Sequence, residues 1–296
     1  MVSELGSGAI NFISYNFISP DNSNSLILTN YNFKATMRKI RLFIAKTALA
    51  VGSSIIVADG DFEYLTKVMR QKAGDSIEIF NGKDGDFLAE ISAVAKKNLS
   101  LLVVKKLRDL ESQGCVTLAF APVKNVRIDF VAAKATEMGV ASFAPIITQH
   151  TIVDKINEER FRANVKEACE QCERNDFPQI ATIKKLEKFL AENAQNFDEQ
   201  NTNKNAREKI LILCDETHQG RKASELLPEI FAKKFLSATF PEVVILIGPE
   251  GGFSKEEFAK MRTIKNLYSM SLGKRILRAD TAIIAALALV NEFLPQ

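Results

Sequence analysis

Two hydrophobic rhythms divide the chain. From Met37 to Leu110, short runs rich in Ile, Val, Leu and Phe (IRLFI, SSIIVA, DSIEIF, FLAEISAV, LSLLVVKKL) are separated by Gly, Asp and Asn, the pattern of short strands. Asn81-Gly82 and Asp84-Gly85 mark a tight turn between two of these runs. Between the second and third runs, Phe62, Leu65, Val68 and Met69 fall at helical spacing and predict one short helix. Five short strands and one helix in about 70 residues describe a small β-barrel.

From Cys115 the rhythm changes. VTLAFAPV, SFAPIIT, ILILCDE, EVVILIGPEGG and NLYSMSLG read as buried strands. RIDFVAAKATEMG, the stretch from Asn157 to Cys172, a short segment after Ser254 and an apolar segment from Ala279 read as helices. This alternation predicts an α/β fold with a mainly parallel sheet. Ala191 to Lys209 is polar and Asn-rich, and is expected to be an exposed loop insertion. Residues 1–36 are rich in Ser and Asn and lack the features of a secretory signal or mitochondrial presequence. The expected organisation is a poorly ordered extension over 1–36, a barrel over 37–110 and an α/β domain over 111–296.

Composition narrows the class. With 46% hydrophobic and 25% charged residues in 296, the chain is not that of a disordered protein. Its longest apolar run, Ala279 to Phe293, is broken by Asp280 and Asn291 and falls short of a membrane span. Four scattered cysteines do not make a disulfide scaffold, so a soluble protein of a reducing, cytoplasmic compartment is expected. Cys169 and Cys172 lie on a predicted helix with no second pair, and structural zinc needs four ligands, so no metal is expected. The 20 Phe and absent Trp read as core packing rather than a base-stacking set. The net charge of +3 is unevenly spread: residues 37–110 hold thirteen basic and nine acidic residues, while 111–296 hold twenty-five of each. A modest basic module precedes a neutral one, as expected if the first grips phosphates.

The strongest local signal is VVILIGPEGGFSKEE at 243–257. A continuous apolar strand ends at Gly248, and a helix follows with Ser254 as cap and Glu257 three residues on. The glycines allow close approach of a ligand, and ligands bind at the carboxyl edge of parallel sheets. There is no G-x-G-x-x-G, and Phe253 stands where a P-loop needs Lys. A second glycine turn, SLGKRILRADTAIIAALALV at 271–290, places Lys274, Arg275 and Arg278 before the final helix.

GPEGGFSKEE and LGKRILRADTA closely resemble the carboxyl-terminal signature of the RsmE family, the 16S ribosomal RNA (uracil-N3)-methyltransferases of the SPOUT class. KATEMGV at 134–140, followed by Pro145 and Thr148, is similar to an upstream family segment. Glu170, Gln171, Arg174 and Pro178 match its Glu-Gln-x-x-Arg…Pro pattern. RLFI, YLTKVMR and GDSIEIFNG resemble its PUA-like barrel, so the likeness runs from Met37 to the end. The chain departs from the family at Glu63, where His is usual, and at Gln149-His150, where Glu-Arg is usual.

The resemblance implies a sheet ending in a deep trefoil knot that holds S-adenosylmethionine by the backbone of three loops. Carried onto this chain, these are Cys214 and Asp215; Ile247, Gly248, Pro249, Glu250, Gly251 and Gly252; and Leu272, Gly273, Ile276, Leu277 and Arg278. Methylating uracil N3 requires alignment with the sulfonium methyl and loss of the N3 proton, and a cation near the carbonyls would stabilise the developing anion. Arg278 and Arg174 are the candidates for that cation, and Gln171 for base contact. Glu137 and Glu250 could serve as base, although carboxylates at such places are more often structural. Arg38, Arg41, Lys67, Arg70, Lys72 and Lys134 are the candidate RNA contacts. The implied partners are 16S rRNA or the assembled small subunit and a second copy of the chain, with Ala282, Ile283, Ala286, Leu287, Leu289 and Val290 of the final helix near a dimer interface or in the core. Other readings are a SPOUT enzyme acting on tRNA or another rRNA nucleotide, and a non-catalytic RNA-binding protein.

Overall fold

The computed structural model describes residues 39–111, 114–122, 125–194, 208–217, 219–232 and 240–294. The expected extension over 1–36, together with Arg38 and His218, lies outside the described residues.

The first sheet contains β1 (Arg41–Phe43), β2 (Ser54–Ala58), β3 (Ser76–Phe80), β4 (Asp86–Val94) and β5 (Asn98–Arg108) in the order β1-β3-β4-β5-β2. The five runs of the sequence pattern become these five strands. The expected short helix is α1 (Asp59–Glu63) running into a π-helical turn at Tyr64–Val68. Alternation along β2 and β5 sends Ile55, Val57, Leu99, Leu101 and Val103 into one core with Leu42, Leu65, Ile77, Ile79 and Ile91. The barrel expectation needs one adjustment. Among the described residues no ladder joins β1 to β2, so the hydrogen-bonded path is open even though all five strands share a core.

The second sheet is wholly parallel. It contains β6 (Val116–Phe120), β7 (Ser142–Ile147), β8 (Gln179–Ile180), β9 (Lys184–Lys185), β10 (Lys209–Cys214), β11 (Arg221–Lys222), β12 (Glu242–Ile247) and β13 (Leu267–Ser271). The order is β11-β13-β10-β12-β6-β7-β8, with β9 also paired to β7. The helices are α2 (Asn125–Glu137), α3 (Glu158–Gln171), α4 (Leu186–Ala194), α5 (Ala223–Phe231), α6 (Lys255–Met261) and α7 (Ala279–Asn291).

Both faces of this sheet are covered, which is why its central strands read as unbroken apolar runs. Leu118, Phe120, Ile210, Ile212, Val243, Ile245 and Ile247 pack under α2, α3, α5 and α7. Ala119, Ala144, Leu211, Leu213, Val244 and Leu246 pack under α4 and α6. Helix α3 buries Phe161, Val165, Ala168 and Cys169 and is capped by Asn157, whose side chain accepts the Arg160 N–H. Helix α7 buries Ala279, Ile283, Ala286, Leu287 and Val290, a stripe at helical spacing. The expected loop over 191–209 is corrected at both ends: α4 extends to Ala194, and Lys209 opens β10.

The two sheets are joined by a polar and aromatic seam. Phe43 stacks on Phe177 at 4.5 Å, and the Phe43 N–H donates to Glu170 at 2.9 Å. Burial pushes the Glu170 carboxyl above its ordinary range, partly offset by that hydrogen bond and by Lys166. Arg41 donates to Asp86 at 2.7 Å and to the Cys169 carbonyl at 3.0 Å, and lies 4.5 Å from the centre of the Phe80 ring. Asp86 also receives Arg108 at 2.6 Å. The Arg41 side chain is 1% exposed, so the expectation that it contacts RNA is overturned: it is committed to the seam and cannot reach a phosphate.

Candidate active site

Three loops at the carboxyl edge of the parallel sheet converge on one cavity of about 360 Å³. The turn after β10 contributes Cys214, Asp215, Glu216 and Thr217; the loop after β12 contributes Ile247 to Phe253; the loop after β13 contributes Leu272, Gly273, Arg275, Ile276 and Leu277. These loops come together because β10 lies between β12 and β13. Every residue expected to bind cofactor lines this cavity except Arg278, the N-cap residue of α7, whose neighbours Leu277 and Ala279 do.

The β12–α6 loop is held in one conformation by its own hydrogen bonds. Gly252 adopts φ +68°, the left-handed region that favours glycine, and its N–H donates to the Pro249 carbonyl at 2.9 Å. The Phe253 N–H donates to Glu216 Oε1 at 2.9 Å. A capping box closes α6: the Ser254 hydroxyl accepts the Glu257 N–H and the Glu257 carboxylate accepts the Ser254 N–H. A Cβ on Gly248 would stand 2.8 Å from the Phe253 ring, and one on Gly252 only 2.5 Å from Glu216 Oε1, so both glycines are needed to let the loop close.

The chemistry of this lining is mixed in a useful way. Ile247, Phe253, Phe258, Leu272, Ile276 and Leu277 supply apolar walls, and the glycines expose backbone polar groups. Asp215, Glu216 and Glu250 bring carboxylates to the lining, with Asp215 buried and accepting from Thr217, while Lys255 and Arg275 bring cations. The Cys214 thiol is buried and, through that burial and the adjacent Glu216 and Asp215, is pushed far above its ordinary range. It is a packing group, not a nucleophile. Among the described residues no group of His, Cys, Asp and Glu could hold a metal ion.

The remaining expected residues are scattered. Arg174 does not line this cavity. Its guanidinium is paired with Asp176 at 2.7 and 2.5 Å and donates to the Thr136 and Val140 carbonyls at 2.8 and 3.1 Å. These bonds, with a side chain only 11% exposed, make it a structural clamp in this chain and correct its expected catalytic use. Gln171 is exposed at the end of α3 and does not line this cavity. Lys134 pairs with Glu137 at 2.8 Å, which ties up that candidate base as well. Lys67, Arg70 and Lys72 are exposed near the π-helical turn, with Lys67 paired to Glu63 at 2.7 Å and Arg70 at φ +55°. Cys169 is buried, its thiol pushed up to about 12 by desolvation. Sequence reasoning missed Glu216, Thr217, Phe253, Lys255, Phe258 and Arg275 in the cavity. Of these, Phe253 and Lys255 adjoin the glycine motif and were open to notice, whereas the role of Glu216 depends on a contact 37 residues away.

Comparison with known proteins agrees with this geometry. Residues 110–291 match the family model of an RNA methyltransferase domain, and residues 57–104 match that of an RNA methyltransferase PUA domain. The ribosomal RNA small subunit methyltransferase E of Rickettsia conorii is 32% identical over 256 residues, covering 86% of this chain and 96% of the relative. The chain belongs to this methyltransferase E family. Among solved structures, a Legionella pneumophila protein in complex with bound S-adenosylmethionine is similar with 29% identity and a TM-score of 0.69, covering 86% of this chain and 98% of that one. The methyltransferase E of Neisseria gonorrhoeae, also solved with S-adenosylmethionine, shares the fold with 24% identity and a TM-score of 0.68, over 86% of this chain and 97% of that one.

Proposed function

We propose that the chain transfers a methyl group from S-adenosylmethionine to N3 of a uridine in 16S ribosomal RNA. The observation that carries this reading is the three-loop cavity, lined by glycine backbone, apolar side chains and carboxylates, in a methyltransferase E family member. The residues fit the cofactor. Backbone groups of Gly248 and Leu272-Gly273 at the cavity wall suit an adenine edge, and the carboxylate-bearing residues of the lining suit its cationic end. When bound, the cofactor supplies an electrophilic methyl group.

The chain's own residues then do the positioning. The cavity orients the methyl group, and alignment of the reactants can contribute about 7–11 kcal/mol to lowering the barrier. Arg278, exposed at the start of α7, is the cation we place near the uracil carbonyls, where it would favour the anion formed as N3 loses its proton. Exposed Lys67, Arg70 and Lys72 are the proposed phosphate contacts of the first sheet.

We also assign a trefoil knot and a homodimer. The knot is supported by the path of the chain: β12 leads through α6 to β13 on the far side of β10, and α7 then returns to pack against β12 and α2. The dimer is supported by apolar groups left outside the core near these elements, including Ile276, Phe130 and Leu289. We infer a cytoplasmic site of action from the proposed ribosomal RNA substrate. Calorimetry with S-adenosylmethionine and with its demethylated product tests the cofactor assignment. Binding near one cofactor per chain is expected, and a folded chain that binds neither would overturn it.

A further inference from the structure

The cofactor loop is gripped from outside by a single imidazole. His150, in the turn after β7, places Nδ1 3.0 Å from the Gly251 carbonyl oxygen and 3.2 Å from that of Gly252. Both oxygens can only accept, so Nδ1 carries the hydrogen and donates to the pair. The packing is close as well: a Cβ on Gly251 would lie 3.1 Å from the His150 Cβ.

The turn that carries His150 is itself fixed. The Thr148 N–H donates to Thr151 Oγ1 at 2.8 Å, and the Gln149 N–H donates to Glu257 Oε1 at 2.8 Å. The second oxygen of Glu257 accepts the Ser254 N–H at 2.8 Å, so one carboxylate ties the His150 turn to the start of α6. His150 therefore projects from a braced turn onto the two consecutive glycines of the cavity wall. Two consecutive glycines have more conformations to lose than any other pair, and ligand affinity falls in proportion to the fraction of loops not in the receiving conformation.

We propose that His150 is a positioning residue for the methyl donor. By holding the Gly251 and Gly252 carbonyls away from the cavity, it keeps that stretch of the loop in the conformation that receives the cofactor. Two further ties, Gly252 N–H to Pro249 and Phe253 N–H to Glu216, hold amides of the loop, and His150 holds the Gly251 and Gly252 carbonyls. This inference rests on the reading of the cavity as the cofactor site.

The test uses the full chain and S-adenosylhomocysteine, measured by calorimetry for wild type, His150→Phe and His150→Asn. Phe keeps a ring and loses the donor; Asn places an amide N–H at the same reach as Nδ1. His150→Phe is expected to weaken binding by roughly five- to tenfold, the effect of one hydrogen bond, and His150→Asn to recover most of it. In turnover with saturating RNA, the Phe variant should raise KM for the donor and leave kcat at saturating donor little changed. The proposal is overturned if the Phe variant binds like wild type, if Phe and Asn weaken binding alike, or if kcat falls while the donor KM stays put. Absence of binding by the wild-type chain is a separate result: it would remove the cofactor reading itself, and the proposal with it.

Discussion

Replacing Gly252 with Ala adds one methyl group at the tightest point of the cofactor loop. Two separate penalties follow. At φ +68° an L-residue with a Cβ is strained by about 1–2 kcal/mol relative to glycine. The added Cβ would also lie 2.5 Å from Glu216 Oε1, which must move and release the Phe253 N–H, a net loss of about 1 kcal/mol. Together these make about 2–3 kcal/mol. If the free loop relaxes into another conformation, the whole amount appears on binding as a weakening of about 30- to 150-fold. If the free loop stays as it is, the amount appears instead as lost stability, roughly 2–4 °C in melting temperature per kcal/mol. Calorimetry with S-adenosylhomocysteine and a thermal melt on the same sample therefore account for the total between them. Adding Glu216→Ala removes the collision, so the double variant should cost little more than Gly252→Ala alone. A Gly252→Ala chain that binds and melts like wild type would refute this account of the loop.

Other substitutions probe the seam and the thiols. Arg41→Met leaves the buried Asp86 with Arg108 as its remaining cation and the Cys169 carbonyl without the Arg41 donor, so urea unfolding should show a loss of about 2–3 kcal/mol. The salt dependence of RNA binding should be unchanged in that variant, whereas Lys72→Ala should reduce the slope by about one unit. Because burial raises the Glu170 carboxyl in the folded state, its contribution to stability declines as pH rises through the window above its ordinary value of 4.5. Glu170→Gln, which can still accept the Phe43 N–H, should flatten that decline in denaturation curves recorded between pH 4 and 7. With its thiol pushed up to about 12, Cys169 should resist iodoacetamide at pH 8 while the partly exposed Cys172 is alkylated, as read by peptide mass spectrometry.

Much of the cavity was legible because its signal is local. An apolar run, three glycines and a Ser-x-x-Glu cap lie within fifteen residues, and the structure contains the strand, the left-handed Gly252 and the capping box that this pattern predicts. Features created by tertiary contact were not legible. Arg41 reads as a phosphate contact because sequence displays its charge and not its burial between two sheets. Arg174 reads as catalytic for the same reason; Asp176, two residues on, is what neutralises it. The grip of His150 on Gly251 spans 101 positions and has no period. Strands β8, β9 and β11, of two residues each, are too short to show alternation. Helix α4 was not expected: its last turn runs into the Asn-rich stretch that reads as loop.

The central claim is that this chain methylates N3 of a uridine in small-subunit ribosomal RNA. Its most direct test is nucleoside mass spectrometry of 16S rRNA from cells lacking the gene, before and after incubation of their small subunits with the purified chain and isotope-labelled S-adenosylmethionine. The account predicts that 3-methyluridine is missing beforehand and returns carrying the label. Retention of 3-methyluridine in the deletion strain, or label on any other nucleoside, would contradict it.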